Sequence, residues 1–212
     1  MALERESYAA RLEVDYPERL DRLTTFFRLI WIIPIAVISS LLMSGDSRSM
    51  GNGAGELARS AGGIGIGLAV ATALMIVFRT RYPRWWFDFA VELARFQSRI
   101  AAYLALLTDQ YPSTVEEQAV HLEIDYPDVE RDLNRWLPMV KWFLAIPHYI
   151  VLLILLPLSV LAIVFTWFAI LLTGRYPRVL FDFVVGVGRW SLRVVAYAFL
   201  LVTDQYPPFS LS

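Results

Sequence analysis

The chain has no cysteine, one lysine (Lys141) and two histidines among its 212 residues. Without cysteine there is no disulfide framework, no thiol nucleophile and no thiolate metal site. His121 and His148 have no third ligand spaced to complete a metal centre, so no metal or other cofactor is expected. Charged residues make up 18% of the chain, against about 25% in a typical soluble domain. The net charge of −1 provides no bulk attraction for nucleic acid. No phosphate-binding loop, nucleophile elbow or His/Glu metalloprotease pair occurs, so the chain does not read as an enzyme. Gly62, Gly63, Gly65 and Gly67 read as small residues for close helix contact. The first 22 residues carry no apolar core of a signal peptide, so the first apolar segment is expected to direct insertion itself.

Apolar residues are abundant, at 57% of the chain, and they come in long blocks. Leu23–Met43 and Ala61–Phe78 each approach the ~20 residues that cross a bilayer. The Gly/Ser-rich loop Ser44–Ser60 separates them. Trp136–Gly174 is nearly unbroken apolar sequence, too long for one crossing at about 1.5 Å per residue. Pro157, midway along it, predicts a turn that folds the block into a second hairpin.

Six of the ten tyrosines precede proline, in two matching sets of three: Tyr16, Tyr82 and Tyr111, then Tyr126, Tyr176 and Tyr206. The flanks match too. LEVDYP from Leu12 answers LEIDYP from Leu122, RYPRWWFDF from Arg81 answers RYPRVLFDF from Arg175, and TDQYP occurs at Thr108 and again at Thr203. The pattern predicts an internal duplication. It has a polar N-terminus (1–11), a first repeat (12–112), a linker (113–121), a second repeat (122–207) and a short tail (208–212). The D-Y-P segments alternate apolar and acidic residues, which reads as two short strands able to pair with each other. The 18 arginines against one lysine are a compositional hint of a GC-rich bacterial genome.

Each repeat continues into a helical segment, Arg84–Leu107 and Arg178–Val202. Arg84, Asp88, Arg95 and Arg99 answer Arg178, Asp182, Arg189 and Arg193, and each set forms one narrow charged line at helical spacing. Upright, these helices give six spans; lying in the interface, four. The in-plane form keeps nearly all arginine on one side, with only Arg48 and Arg59 opposite, as the positive-inside rule favours. The expected fold is therefore an all-α membrane protein. Each copy would be a transmembrane helical hairpin followed by a long amphipathic interfacial helix, with both termini in the cytoplasm. Arg28 and Lys141, each six residues before a proline, are candidate lipid-phosphate or partner contacts, together with Arg84, Arg95, Arg99, Arg178, Arg189 and Arg193. Asp88 and Asp182 are candidate structural charge pairs. His148 reads as a satisfied interior residue.

The tandem D-Y-P, R-Y-P-x-x-x-F-D-F and T-D-x-Y-P pattern resembles the bacterial membrane-protein family called domain of unknown function 4389, from Leu12 to Pro207. The resemblance implies an integral membrane protein and supplies no reaction, substrate or functional residues. The expected role is a non-enzymatic accessory or scaffold of the bacterial inner membrane, docking lipids or a larger membrane complex, or associating with itself. The alternative is a small oligomeric channel or transporter lined by the charged stripes.

Overall fold

The computed structural model describes residues 8–35, 37, 63–113, 116, 118–129 and 131–212. The expected Ser44–Ser60 loop and the adjoining parts of the expected spans Leu23–Met43 and Ala61–Phe78 lie outside the described residues. The two D-Y-P segments form strands, β1 (Ala10–Val14) and β2 (Val120–Ile124), which pair antiparallel with Leu12 opposite Leu122 and Val14 opposite Val120. The fold is thus mostly helical but not all-α. Alternation along a strand sends successive side chains to opposite faces. Leu122 and Val120 are buried while Glu13, Asp15, His121 and Glu123 are exposed. Arg11 reaches Glu123 at 3.3 Å and Asp125 at 3.1 Å on that outer face.

Among the described residues five longer helices and one short one follow, with a 3-10 turn at Leu137–Met139: α1 (Arg22–Trp31), α2 (Gly63–Arg79), α3 (Arg84–Leu104), α4 (Lys141–Leu144), α5 (Ile146–Thr173) and α6 (Arg178–Ala198). Asp21 caps α1 by accepting the Leu23 amide at 3.0 Å, and Pro83 and Pro177 precede the first residues of α3 and α6. The expected turn at Pro157 is absent, because α5 is one helix of 28 residues that runs through it. Proline removes the bond to the Leu153 carbonyl, yet its neighbours are leucines with no turn chemistry to replace the helix. Gly174, at φ 72°, ends α5 in the left-handed region that glycine enters freely.

From there α6 returns antiparallel along α5. The Trp190 indole donates to His148 Nδ1 at 3.0 Å, and the Trp142 indole to the Ala198 carbonyl. The Trp86 indole donates to Thr72 Oγ1 at 2.8 Å, tying α3 to α2. Ile32 and Ile35 pack against Ile100 and Tyr103 of α3. The ribbon lies along the other side of α3 and α6. Tyr16 meets Phe181 edge-on at 4.9 Å, Arg189 Nε donates to the Leu12 carbonyl at 2.9 Å, and the Tyr8 hydroxyl to the Arg193 carbonyl at 3.3 Å. Three layers result: ribbon, then α3 with α6, then α1, α2 and α5.

The outermost helical layer is apolar outside. Ala145, His148, Leu152, Ser159, Ala162, Thr166 and Ile170 form the buried seam of α5. Leu153, Ile154, Phe165, Phe168 and Leu172 are exposed. Small and polar side chains therefore point inward and large apolar ones outward, the reverse of a soluble helix. Among the described residues, α5 is the one helix long and apolar enough to cross a membrane.

Candidate functional site

The TDQYP motifs build two matching anchors. Arg28 is 2% exposed, donates to Asp109 Oδ1 and, at 2.7 Å, to the Tyr103 carbonyl, and lies 4.4 Å from the Tyr103 ring centre. Lys141 is 0% exposed, 2.7 Å from Asp204 Oδ1 and 2.7 Å from the Thr203 carbonyl, with the Tyr197 ring centre at 5.1 Å. The second carboxylate oxygen accepts a backbone amide each time, from Asp21 onto Asp109 and from Asn134 onto Asp204. Thr108 Oγ1 accepts the Gln110 amide and Thr203 Oγ1 the Gln205 amide, both at 3.1 Å. Arg28 and Lys141 therefore do not reach lipid phosphate as expected; their charge is consumed inside the chain. The repeated signal was legible, since a cation stands six residues before proline and an aspartate stands in each TDQYP. What sequence alone lacked was the fold that joins them.

Four of the six stripe arginines read as lipid contacts, Arg95, Arg99, Arg189 and Arg193, instead turn inward onto backbone carbonyls, while Arg84 and Arg178 remain exposed. Arg95 donates to the Leu122 carbonyl at 3.2 Å, as Arg189 does to Leu12. Arg99 donates to the Ser113 carbonyl, and Arg193 to those of Ser210, at 3.2 Å, and Ser212. Arg84 sits over the Tyr126 ring at 4.9 Å and Arg178 over the Tyr16 ring at 4.3 Å. Tyrosine hydroxyls cross between the halves in both directions, Tyr16 to the Tyr176 carbonyl and Tyr126 to the Tyr82 carbonyl. Burial pushes the Tyr82 and Tyr176 phenols up to about 12, so both stay protonated at neutral pH.

Asp88 and Asp182 do not form the buried charge pairs expected of them. Asp182 meets Arg178 at 3.5 Å with both side chains more than 60% exposed, and Asp88 is exposed without an ion pair among the described residues. Exposed pairs are worth about 0–1 kcal/mol. Asp88→Ala and Asp182→Ala are accordingly expected to leave the melting temperature in detergent unchanged, as a thermal unfolding scan of each variant will report.

A concavity lies between α3 and α6, with α2 and α5 as its outer walls. Its volume is about 660 Å³, within the ~300–1,000 Å³ of small-molecule pockets. Ala90, Ala94, Gln97 and Ala101 of α3 face Val184, Val187, Gly188 and Ser191 of α6 across it. Among the described residues its lining holds no ionisable side chain, and Gln97, Ser98, Ser159 and Ser191 are the polar ones. Among the described residues no group of three or more His, Cys, Asp or Glu side chains is arranged to hold a metal.

Taken together, the described residues form a mostly helical structure with one helix long and apolar enough to cross a membrane, a pair of cation–carboxylate anchors with buried cations and an apolar cavity. Residues 137–210 match the family model described as Domain of unknown function (DUF4389). No curated protein and no solved structure matches the chain.

Proposed function

We propose that the chain is a tandem duplication that works as a non-enzymatic scaffold of the bacterial inner membrane, embedded from the cytoplasmic side. The ribbon faces water, α3 and α6 lie in the interface, and α1, α2 and α5 dip into the hydrocarbon. One observation carries this reading: ribbon, α6 and α5 run alongside one another. Standing α5 upright would carry the ribbon's outer face, with Glu13, Asp15, His121, Glu123 and Asp125, toward mid-bilayer. Each charge there costs at least about 2.5–3.5 kcal/mol. Charge distribution supports the same placement. Arg131, Arg135 and Lys141 precede α5 while Arg175 and Arg178 follow it, so a crossing α5 would put basic residues on both sides, against the positive-inside rule. Four crossings, as hydropathy alone suggests, would need a turn at Pro157 that α5 does not make.

The duplication is supported by contacts that recur in pairs, above all the crossed tyrosine bonds and the two anchors. With Arg95, Arg99, Arg189 and Arg193 engaged inside the chain, lipids, self-association or a larger membrane complex are met chiefly by the exposed apolar face, where Phe26, Ile30, Trp31, Phe165 and Phe168 stand, and by the exposed Arg84 and Arg178. A channel needs polar groups continuous across the bilayer, and among the described residues the apolar layer offers buried, scattered ones such as Thr72, His148 and Thr166. The purified protein in liposomes is expected to resist alkaline-carbonate extraction and to pass no ion current. Saturable ion flux would replace the scaffold reading with the channel one.

A further inference from the structure

We infer that the cavity between α3 and α6 takes one aliphatic chain of a membrane lipid. The inference rests on the embedding proposed above and adds a specific site to it. Two walls of the cavity belong to the layer placed in hydrocarbon. Ile66 of α2 and Leu156 and Val160 of α5 both line it and are exposed on the outer apolar surface, at 51%, 50% and 58%. The cavity is therefore continuous with the face that meets lipid tails, and an occupant enters without passing through water. Small residues hold it open. Ala90, Ala94 and Ala101, with Gln97 on the same line, recur every three or four residues, so they form one line of α3, on the side away from Arg84, Arg95 and Arg99.

The lining chemistry selects the occupant. A void forfeits dispersion contacts along its walls. Water gains little in return, because a buried water needs two to four polar partners and this lining supplies four polar side chains in all. One of those, Ser159, already donates to the Leu155 carbonyl at 2.9 Å. With no cation or carboxylate in the lining, nothing there recognises a headgroup or a charged metabolite. A hydrocarbon chain matches the apolar side chains that make up most of the lining. Its headgroup would stay outside with the rest of the lipid, and selectivity would lie in chain length and unsaturation instead.

The test uses the full chain in liposomes of phosphatidylethanolamine and phosphatidylglycerol, doped with a phospholipid bearing a mid-chain photoreactive diazirine. After irradiation, labelled peptides are mapped by mass spectrometry. Label is expected on the cavity-facing stretches of α3 (90–101) and α6 (184–195) as well as on the outside of α5. The filled variant Ala94→Phe/Ser191→Phe is expected to lose the α3 and α6 label at least tenfold while keeping the α5 label. A milder variant, Ala101→Leu at the exposed edge of the cavity, should lose part of it with the same melting temperature as the parent. Label confined to the outside of α5, or undiminished in both variants, would overturn the inference and leave the embedding intact. Label that reaches α3 and α6 only after residues 44–60 are deleted would overturn it too, because the chain itself would then fill the cavity. Absence of label everywhere, α5 included, would overturn the embedding and this inference with it.

Discussion

Asp204→Ala is expected to be among the most destabilising single substitutions in the chain. It strands the Lys141 ammonium, which is fully buried, and it removes the acceptor of the Asn134 amide. Burial pulls the Lys141 pKa below its ordinary value, while the hydrogen bond and charge of Asp204 oppose that pull. Breaking such a pair costs about 3–5 kcal/mol, chiefly because a lone charge is left without water or a partner. Replacing both members is therefore milder than replacing one. Lys141→Met/Asp204→Ala should recover a substantial part of the loss, since methionine keeps much of the packing against Tyr197 and carries no charge. Thermal unfolding in detergent of the two singles and the double gives the cycle. If the double is as unstable as the sum of the singles, the pair is not coupled. The same cycle at Arg28 and Asp109 should follow the same pattern, since their geometry matches.

The second large effect is expected where the ribbon is fastened. Arg189 and Arg95 each hold a strand carbonyl, Leu12 and Leu122, from the middle of α6 and α3. Hydrogen bonds from charged groups are worth about 1.5–3 kcal/mol each. Arg189→Met should lower stability by about that amount and raise amide exchange in β1. The double variant Arg95→Met/Arg189→Met should release the ribbon as a unit, because the two strands pair with each other and a two-stranded ribbon is marginal without a packed face. Hydrogen exchange confined to one strand in the double variant would show that each strand is held independently by other contacts.

Much of this arrangement was legible in the sequence. Alternation in LEVDYP and LEIDYP gave the strands and the face each residue takes, because a period of two fixes both. The repeated Tyr-Pro pairs gave the element boundaries. Pro177 opens α6 and Pro83 opens α3, where a proline before the first helical turn costs no hydrogen bond. The stripe arginines were also found at their true spacing. Their partners were not, because hydrophobic periodicity shows which face of a helix is polar and not what lies against it. Headgroups and a strand's carbonyls look alike from that side. Pro157 misled for a related reason. Proline weakens a helix at one bond, and only the surrounding chain decides whether that bond is worth a turn. Here leucines flank it, and α6 lies alongside both halves of α5, which keeps the helix whole. The cavity had no sequence signal of its own, since alanines at 90, 94 and 101 serve equally for close helix contact.

The central claim is that both ends of α5 lie on one face of the membrane. The chain has no cysteine, so single-cysteine probes need no background removal. Arg131→Cys, before α5, and Arg175→Cys, just after it, both replace exposed residues. A membrane-impermeant maleimide is applied to intact spheroplasts and to inside-out vesicles. Both positions are expected to label in inside-out vesicles and neither in spheroplasts. Labelling of the two from opposite sides would mean that α5 crosses the bilayer, and the in-plane account would be wrong.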